Sequence, residues 1–300
     1  YLQDIVSLSK AFELILGTRW SASKLHAGRM EDPVSGGAIS MEDSTSALVG
    51  SAKLSFTPSE RWNVYGGVGQ SFRAPNLSDL TRLDTARTNE IETPVPGGLD
   101  PERFLSYDLG VKFRSGFADL SLAWYHTEID DLIVRAPTGR IIGTNAEVTK
   151  KNSGQGHVQG IEFGASMDLT SAWHSHLKFD WMDGELESFP TSAPTTVVEP
   201  MSRMLPVTTR VGLRYEPPAS RTWCGLDATF AGQQDKLSAS DRSDTQRIPP
   251  GGTPSYTLWT LRGGWKISRH LTLNGAVENI FDEDYRIHGS GQNEAGVNGV

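Results

Sequence analysis

One cysteine, Cys224, stands in 300 residues, so the chain can form no internal disulfide and carries no paired-cysteine metal or redox motif. Long apolar runs are missing too. No segment approaches the roughly 18–20 residues that a membrane-crossing helix needs, which excludes a helical membrane protein. Positive charge is in deficit: 28 Lys and Arg face 36 Asp and Glu, a net of −8. With no basic cluster, that balance argues against phosphate-driven binding of nucleic acid, and none is expected as a partner. No GxSxG, P-loop or HExxH motif occurs, so no enzyme, metal centre or cofactor is expected. The chain begins at Tyr1 without an initiator methionine and reads as a fragment.

What the chain does have is alternation. Leu105, Tyr107, Leu109, Val111 and Phe113 are apolar, whereas Ser106, Asp108, Gly110, Lys112 and Arg114 are polar or glycine. Ile161, Phe163, Ala165, Met167 and Leu169 repeat the pattern against Glu162, Gly164, Ser166 and Asp168. A period of two marks strands with different surroundings on their two faces. The same reading predicts strands over Glu13–Trp20, Val49–Thr57, Trp62–Phe72, Leu105–Arg114, Leu120–Ile129 and Ile161–Leu169. It continues over Leu177–Asp183, Val207–Tyr215, Thr222–Ala231, Tyr256–Ile267 and Leu271–Asn279. About eleven strands result.

Their connections alternate in length. Pro58–Arg61, Ser115–Gly116, Thr170–Trp173, Glu216–Arg221 and Ser268–His270 are short turns. Ser21–Thr45, Arg73–Pro101, Asp130–Gln155, Gly184–Met204 and Gln233–Thr253 read as long loops. Strands of about 9–13 residues suit a tilted crossing of a bilayer, and short turns at one end with long loops at the other is the outer-membrane pattern. A mean hydropathy of −0.36 fits, because only one face of each strand meets lipid. Aromatic residues near strand ends, among them Trp62, Trp124, Trp173 and Trp265, fit the interfacial girdles of such barrels. Alternation alone does not say whether the apolar face meets lipid or a soluble core.

Four stretches carry a resemblance to a known family. Gln70-Ser71-Phe72-Arg73-Ala74-Pro75-Asn76 resembles the point where a barrel strand of TonB-dependent outer-membrane receptors ends in S-F-R-A-P and enters an external loop. Pro101-Glu102-Arg103 through Phe113 is similar to that family's P-E-x-x-x-x-Y-E-L-G-x-K strand, with Asp108 where Glu is usual. Gly156 to Glu162 is similar to its x-x-G-x-E strand. Val277-Glu278-Asn279-Ile280-Phe281-Asp282-Glu283-Asp284-Tyr285 resembles its V-x-N-L-F-D-x-x-Y segment. The four occur in the family's order over about 215 residues.

The resemblance implies an all-β, partial antiparallel transmembrane β-barrel, about 11 strands of an expected 22, with short periplasmic turns and long extracellular loops. Residues 1–300 would be the C-terminal portion of the receptor barrel, without the plug domain and the last strand. The location implied is the outer membrane of a Gram-negative type cell. The partners implied are outer-membrane lipid and lipopolysaccharide, the TonB energy-coupling complex acting through the N-terminal plug, and a small-molecule ligand such as a ferric siderophore. Cobalamin, haem or an oligosaccharide are alternative ligands within the family. An autotransporter, a passive porin or a soluble β-rich binding protein are the alternatives outside it.

Arg73, Arg82, Arg87 and Arg103 bracket a long loop on the receiving side and are the candidate ligand-binding residues. Guanidinium groups there would draw an anionic ferric chelate or anionic lipopolysaccharide, and both readings stand. His174 and His176 lie two apart on one strand face, where solvated rim residues compete with a metal pair. Glu128, Asp130 and Asp131 form an acidic group at a strand end, read as solvated loop charge. The final stretch, Leu271–Val300, is expected to start as a strand and to run out into an external loop.

Overall fold

The computed structural model describes residues 1–81, 89–95 and 97–290. Its regular structure is dominated by one sheet of fourteen strands. Strands β1 (Leu2–Ser7), β2 (Phe12–Glu31), β3 (Ala38–Ser59) and β4 (Trp62–Arg73) follow one another, each antiparallel to the last. The connection after β4 holds a one-turn helix, α1 (Leu77–Leu80), and the short β5 (Glu90–Glu92). The sheet resumes with β6 (Glu102–Arg114) beside β4, then β7 (Ala118–Ile142), β8 (Asn145–Asp168) and β9 (Trp173–Ser188). A short β10 (Val197–Pro200) folds back on the end of β9. Next come β11 (Thr208–Tyr215), β12 (Thr222–Ala231), a short helix α2 (Ala239–Ser243), β13 (Tyr256–Lys266) and β14 (Thr272–Val277). β1 and β14 end the hydrogen-bonded order, so the sheet is open.

Register carries the sequence alternation from strand to strand, because residues paired across antiparallel strands share a face. Leu109 pairs with Trp124, Trp124 with Ile161, and Ile161 with Trp181. One residue along, Asp108, Tyr125, Gly160 and Met182 form the matching row on the opposite face. The apolar face is uncovered: Trp20 is 67% exposed, Leu48 68% and Leu109 56%, and among the described residues no helix or second sheet packs on it. A water-soluble protein exposing such a face would bury it against a second layer. A single layer with its apolar side bare is the membrane arrangement.

The polar face is filled by large side chains lying over glycines. The Tyr65 ring occupies the space a side chain at Gly110 would take, Tyr125 does the same at Gly160, and Trp223 at Gly264. Cations cap two of these rings, the Lys53 ammonium 4.1 Å from the centre of Tyr65 and the Arg214 guanidinium 4.0 Å from that of Trp223.

The eleven expected strands are present, joined by β1, β5 and β10. Two segments expected to be loops are not. Most of Ser21–Thr45 belongs to β2 and β3, which pair as far as Glu31 and Ala38, and most of Asp130–Gln155 belongs to β7 and β8. These four strands have 20, 22, 25 and 24 residues, about twice the crossing length of roughly 9–11. Beyond the membrane both faces of a strand meet water, so alternation vanishes although pairing continues. The asymmetry between the two ends therefore persists as projecting ribbons rather than as slack loops.

The largest buried side chains concentrate at the long-loop end. Leu80, Ile248, Val148, Glu92 and Glu147 are among the largest fully buried residues, and all lie at the long-loop end. The external segments thus have a small core of their own.

Candidate functional site

The long-loop end is tied together by buried carboxylates, and the first of them meets the expected ligand arginine. Arg73 ends β4; its Nε and Nη2 donate to the two oxygens of Glu102, the latter at 2.6 Å, and its Nη1 donates to Asp79 at 2.7 Å. Glu102 is 4% exposed at its side chain and also accepts the Ile133 backbone N–H at 3.0 Å. Asp79 in turn accepts from the backbone of Asn76, whose own side chain accepts from the Asp79 N–H, closing a capping box on α1. Ala74 and Pro75 are the link between this clamp and the helix. The Phe72–Asn76 stretch thus directs the chain out of the barrel and into its loop.

That loop returns across the mouth. Glu92 is 1% exposed and accepts Arg135 Nε at 2.9 Å, with the Lys150 ammonium 3.9 Å away. β5 lies parallel on β8, pairing Glu90–Glu92 with Ala146–Val148. Beside it Glu147, fully buried, receives Arg140 through two nitrogens at 2.5 Å and the Thr138 hydroxyl at 2.5 Å. The Arg140 hydrogen bonds hold the Glu147 carboxyl below the usual carboxylate range despite its burial. Between this block and the β2–β3 tip lies an open pocket of ≈ 500 Å³ whose walls include Val34, Ile39, Met41 and Val95.

A second knot joins the later loops. Asp241, 2% exposed, accepts the Ser202 hydroxyl at 2.6 Å and the Arg203 N–H at 3.2 Å while capping α2 through Ser238. Glu199 accepts the Ala239 N–H at 2.7 Å. His288, 5% exposed, pairs its Nδ1 with the Thr253 hydroxyl at 2.9 Å; burial pushes its pKa down. Thr253 exchanges two backbone hydrogen bonds with Gln234, whose side chain donates to the Met204 carbonyl. Three external segments are thereby fastened to one another.

Of the four candidate arginines, the two within the described residues, Arg73 and Arg103, occupy different surroundings. Arg73 is inside the clamp. Arg103 shares the outward apolar face with Leu105 and Leu109, is 69% exposed at its side chain, and lies 3.6 Å from Asp131. Arg82 and Arg87 fall outside the described residues. His174 and His176 are held apart, His174 by Asp168 at 2.6 Å and His176 by Asp227 at 3.3 Å. Among the described residues no three potential ligands surround a metal position. Asp130 and Asp131, the latter with positive φ, form a bulge in β7 between Ile129 and Leu132, and Glu128 lies just before it.

The closing motif is a turn rather than a strand. Asn279 donates to the Glu283 carbonyl and accepts its N–H, both at 3.0 Å. Phe281 meets Trp259 edge-on, Tyr285 packs on Tyr256, and Asp282 carries a positive φ. Glu278 is exposed. The expected outward run after the last strand is present to residue 290, and 291–300 fall outside the described residues. Sequence reasoning missed Glu92, Glu102 as an ion partner, Glu147 and Asp241. Single carboxylates in polar loops carry no periodic signal; the only clue was the Ser238-to-Asp241 spacing of a helix cap.

A family model described as TonB dependent receptor-like, beta-barrel, matches residues 1–280. The Vitamin B12 transporter BtuB of Vibrio vulnificus (strain YJ016) is 26% identical over 240 residues, covering 79% of this chain and 33% of that protein. The Ferric enterobactin receptor PirA of Pseudomonas aeruginosa is 25% identical over 247 residues, covering 78% and 32%. Among solved structures, the copper transporter OprC superposes with a TM-score of 0.74 at 17% identity, covering 98% of this chain and 44% of that one. The siderophore receptor PiuA from Acinetobacter baumannii gives 0.71 at 17%, covering 97% and 40%. The chain spans about a third of the length of the curated relatives it matches.

Proposed function

The chain belongs to the TonB-dependent receptor family through its β-barrel, and from that membership we propose that it forms the C-terminal part of a receptor for active uptake of a scarce nutrient, a ferric siderophore. The barrel lies in the outer membrane. A plug domain elsewhere in the protein would fill it and connect it to the TonB complex, and lipopolysaccharide would surround its outward face at the level of Arg103.

What supports uptake is the interlocked external mouth. Its described loop segments are fastened by buried ion pairs, which pre-organises a receiving surface and lowers the ordering cost of capturing a dilute ligand. What supports iron is that siderophore receptors stand among the relatives. Cobalamin is the second reading, supported by the similarity to B12 transporters.

Uptake of radiolabelled iron, given as one chelate at a time, and of labelled cobalamin tests both in a strain deleted for the full-length gene. Loss of uptake of a ferric chelate with cobalamin uptake intact supports the first reading. Loss of cobalamin uptake alone moves the assignment to cobalamin, and no loss of either overturns both.

A further inference from the structure

The charge of the chain is unevenly placed. Across the external segments, residues 24–43, 73–103, 128–151, 183–203, 235–247 and 278–286, the described residues hold 24 Asp and Glu against 13 Lys and Arg. The acidic excess of the described residues therefore lies at the mouth, and the remaining described segments carry a small positive excess.

Most of these 13 cations are also paired with carboxylates. Besides Arg73, Arg135 and Arg140, Lys236 lies 2.7 Å from Asp183, and Arg203 and Arg247 reach Asp244 at 3.2 and 2.9 Å. A guanidinium paired with a carboxylate has its charge offset and two of its five N–H donors occupied, which weakens its pull on an incoming anion.

The pocket at the β2–β3 tip repeats this on a small scale. Arg140, the one arginine among its described lining residues, is 73% exposed but is paired with the buried Glu147. At its rim Asp32 is kept charged by hydrogen bonds from the Ser35 hydroxyl and the Val34 N–H. The rest is apolar surface from Ile39, Met41 and Val95 with the hydroxyls of Thr138 and Thr149. Apolar walls with a few hydroxyls bind the uncharged flank of a ligand; a carboxylate rim repels an anionic one.

We infer that this pocket receives an uncharged or cationic ligand surface and that this side of the mouth discriminates against polyanionic chelates. The inference rests on the uptake reading above. For an iron chelate it selects the class in which the donors only balance the metal charge. Three hydroxamates, each losing one proton, neutralise a ferric ion, whereas three catecholates, each losing two, leave three negative charges.

The test uses the full-length receptor in detergent or in cells, with a ferric trihydroxamate and a ferric tricatecholate of similar size. The neutral chelate is expected to bind with an affinity that does not change between about 50 and 300 mM salt. The trianion is expected to bind about tenfold more weakly or worse at low salt and to improve as salt rises. Val34, 51% exposed at the pocket rim, provides a variant without structural risk: Val34→Lys should raise trianion affinity about threefold and leave the neutral chelate unchanged. Tighter binding of the trianion at low salt that weakens with added salt, or a Val34→Lys variant with no effect on it, overturns the inference and leaves the uptake reading intact. Failure of both chelates to bind overturns the iron reading, and the inference with it.

Discussion

The guanidinium of Arg73, at the end of β4, is gripped by both carboxylate oxygens of Glu102 at the start of β6. The two residues belong to separate sequence motifs that close the same loop, 29 positions apart. Removing either partner strands a charge. Arg73→Ala leaves Glu102 and Asp79 facing each other in a buried site. The expected loss is about 2–3 kcal/mol in local stability, below the full penalty for a broken buried pair because Arg73 keeps partial exposure. Hydrogen exchange over 74–102 should accelerate. Arg73→Lys should fall between the two, since an ammonium cannot make the paired contact; equal protection in all three proteins would remove the clamp from the account.

The rings over glycines make a second expectation. A methyl at Gly110 would meet the Tyr65 ring directly, so Gly110→Ala should cost about 1–3 kcal/mol. The double variant Tyr65→Ala with Gly110→Ala should recover part of that loss. Heat-dependent migration of the folded barrel on gels reads both, and a double variant no better than Gly110→Ala would show that the ring is not the obstacle.

Arg103 points away from the mouth, on the face of Leu105 and Leu109. Charge reversal by Arg103→Glu should therefore change nutrient affinity by less than about twofold, even though the residue borders the receiving loop in sequence. A loss of tenfold or more would put Arg103 back among the ligand contacts.

His288 makes the second loop knot sensitive to acid. Its pKa is lowered by burial in the folded protein, so the folded state binds fewer protons than the unfolded one, and stability rises with pH. The contribution is complete above the ordinary histidine value of about 6.5 and declines as pH falls below it. The carboxylate of Asp241 opposes this shift, and Arg203 packs beside the neighbouring Gly289. Exchange rates over 232–255 and 285–290, corrected for intrinsic pH dependence, should rise between about pH 7.5 and 5.5. That rise should disappear in His288→Phe, and its persistence would assign it to another group.

Much of the sheet was determined by sequence alone. Leu105–Arg114 and Ile161–Leu169 alternate because each face meets a different solvent, and the turns at Ser115–Gly116 and Glu216–Arg221 needed only local chemistry. Tertiary structure decided what alternation leaves open. The apolar face is the bare one, because among the described residues no second layer covers Leu109 or Trp20. It also decided that Ser21–Thr45 and Asp130–Gln155 are mostly strand, since pairing above a membrane needs no apolar face and leaves no periodic trace. The role of Arg73 was the least legible. Its partner, Glu102, lies a whole loop away, and only closure of that loop turns a candidate ligand contact into a structural clamp.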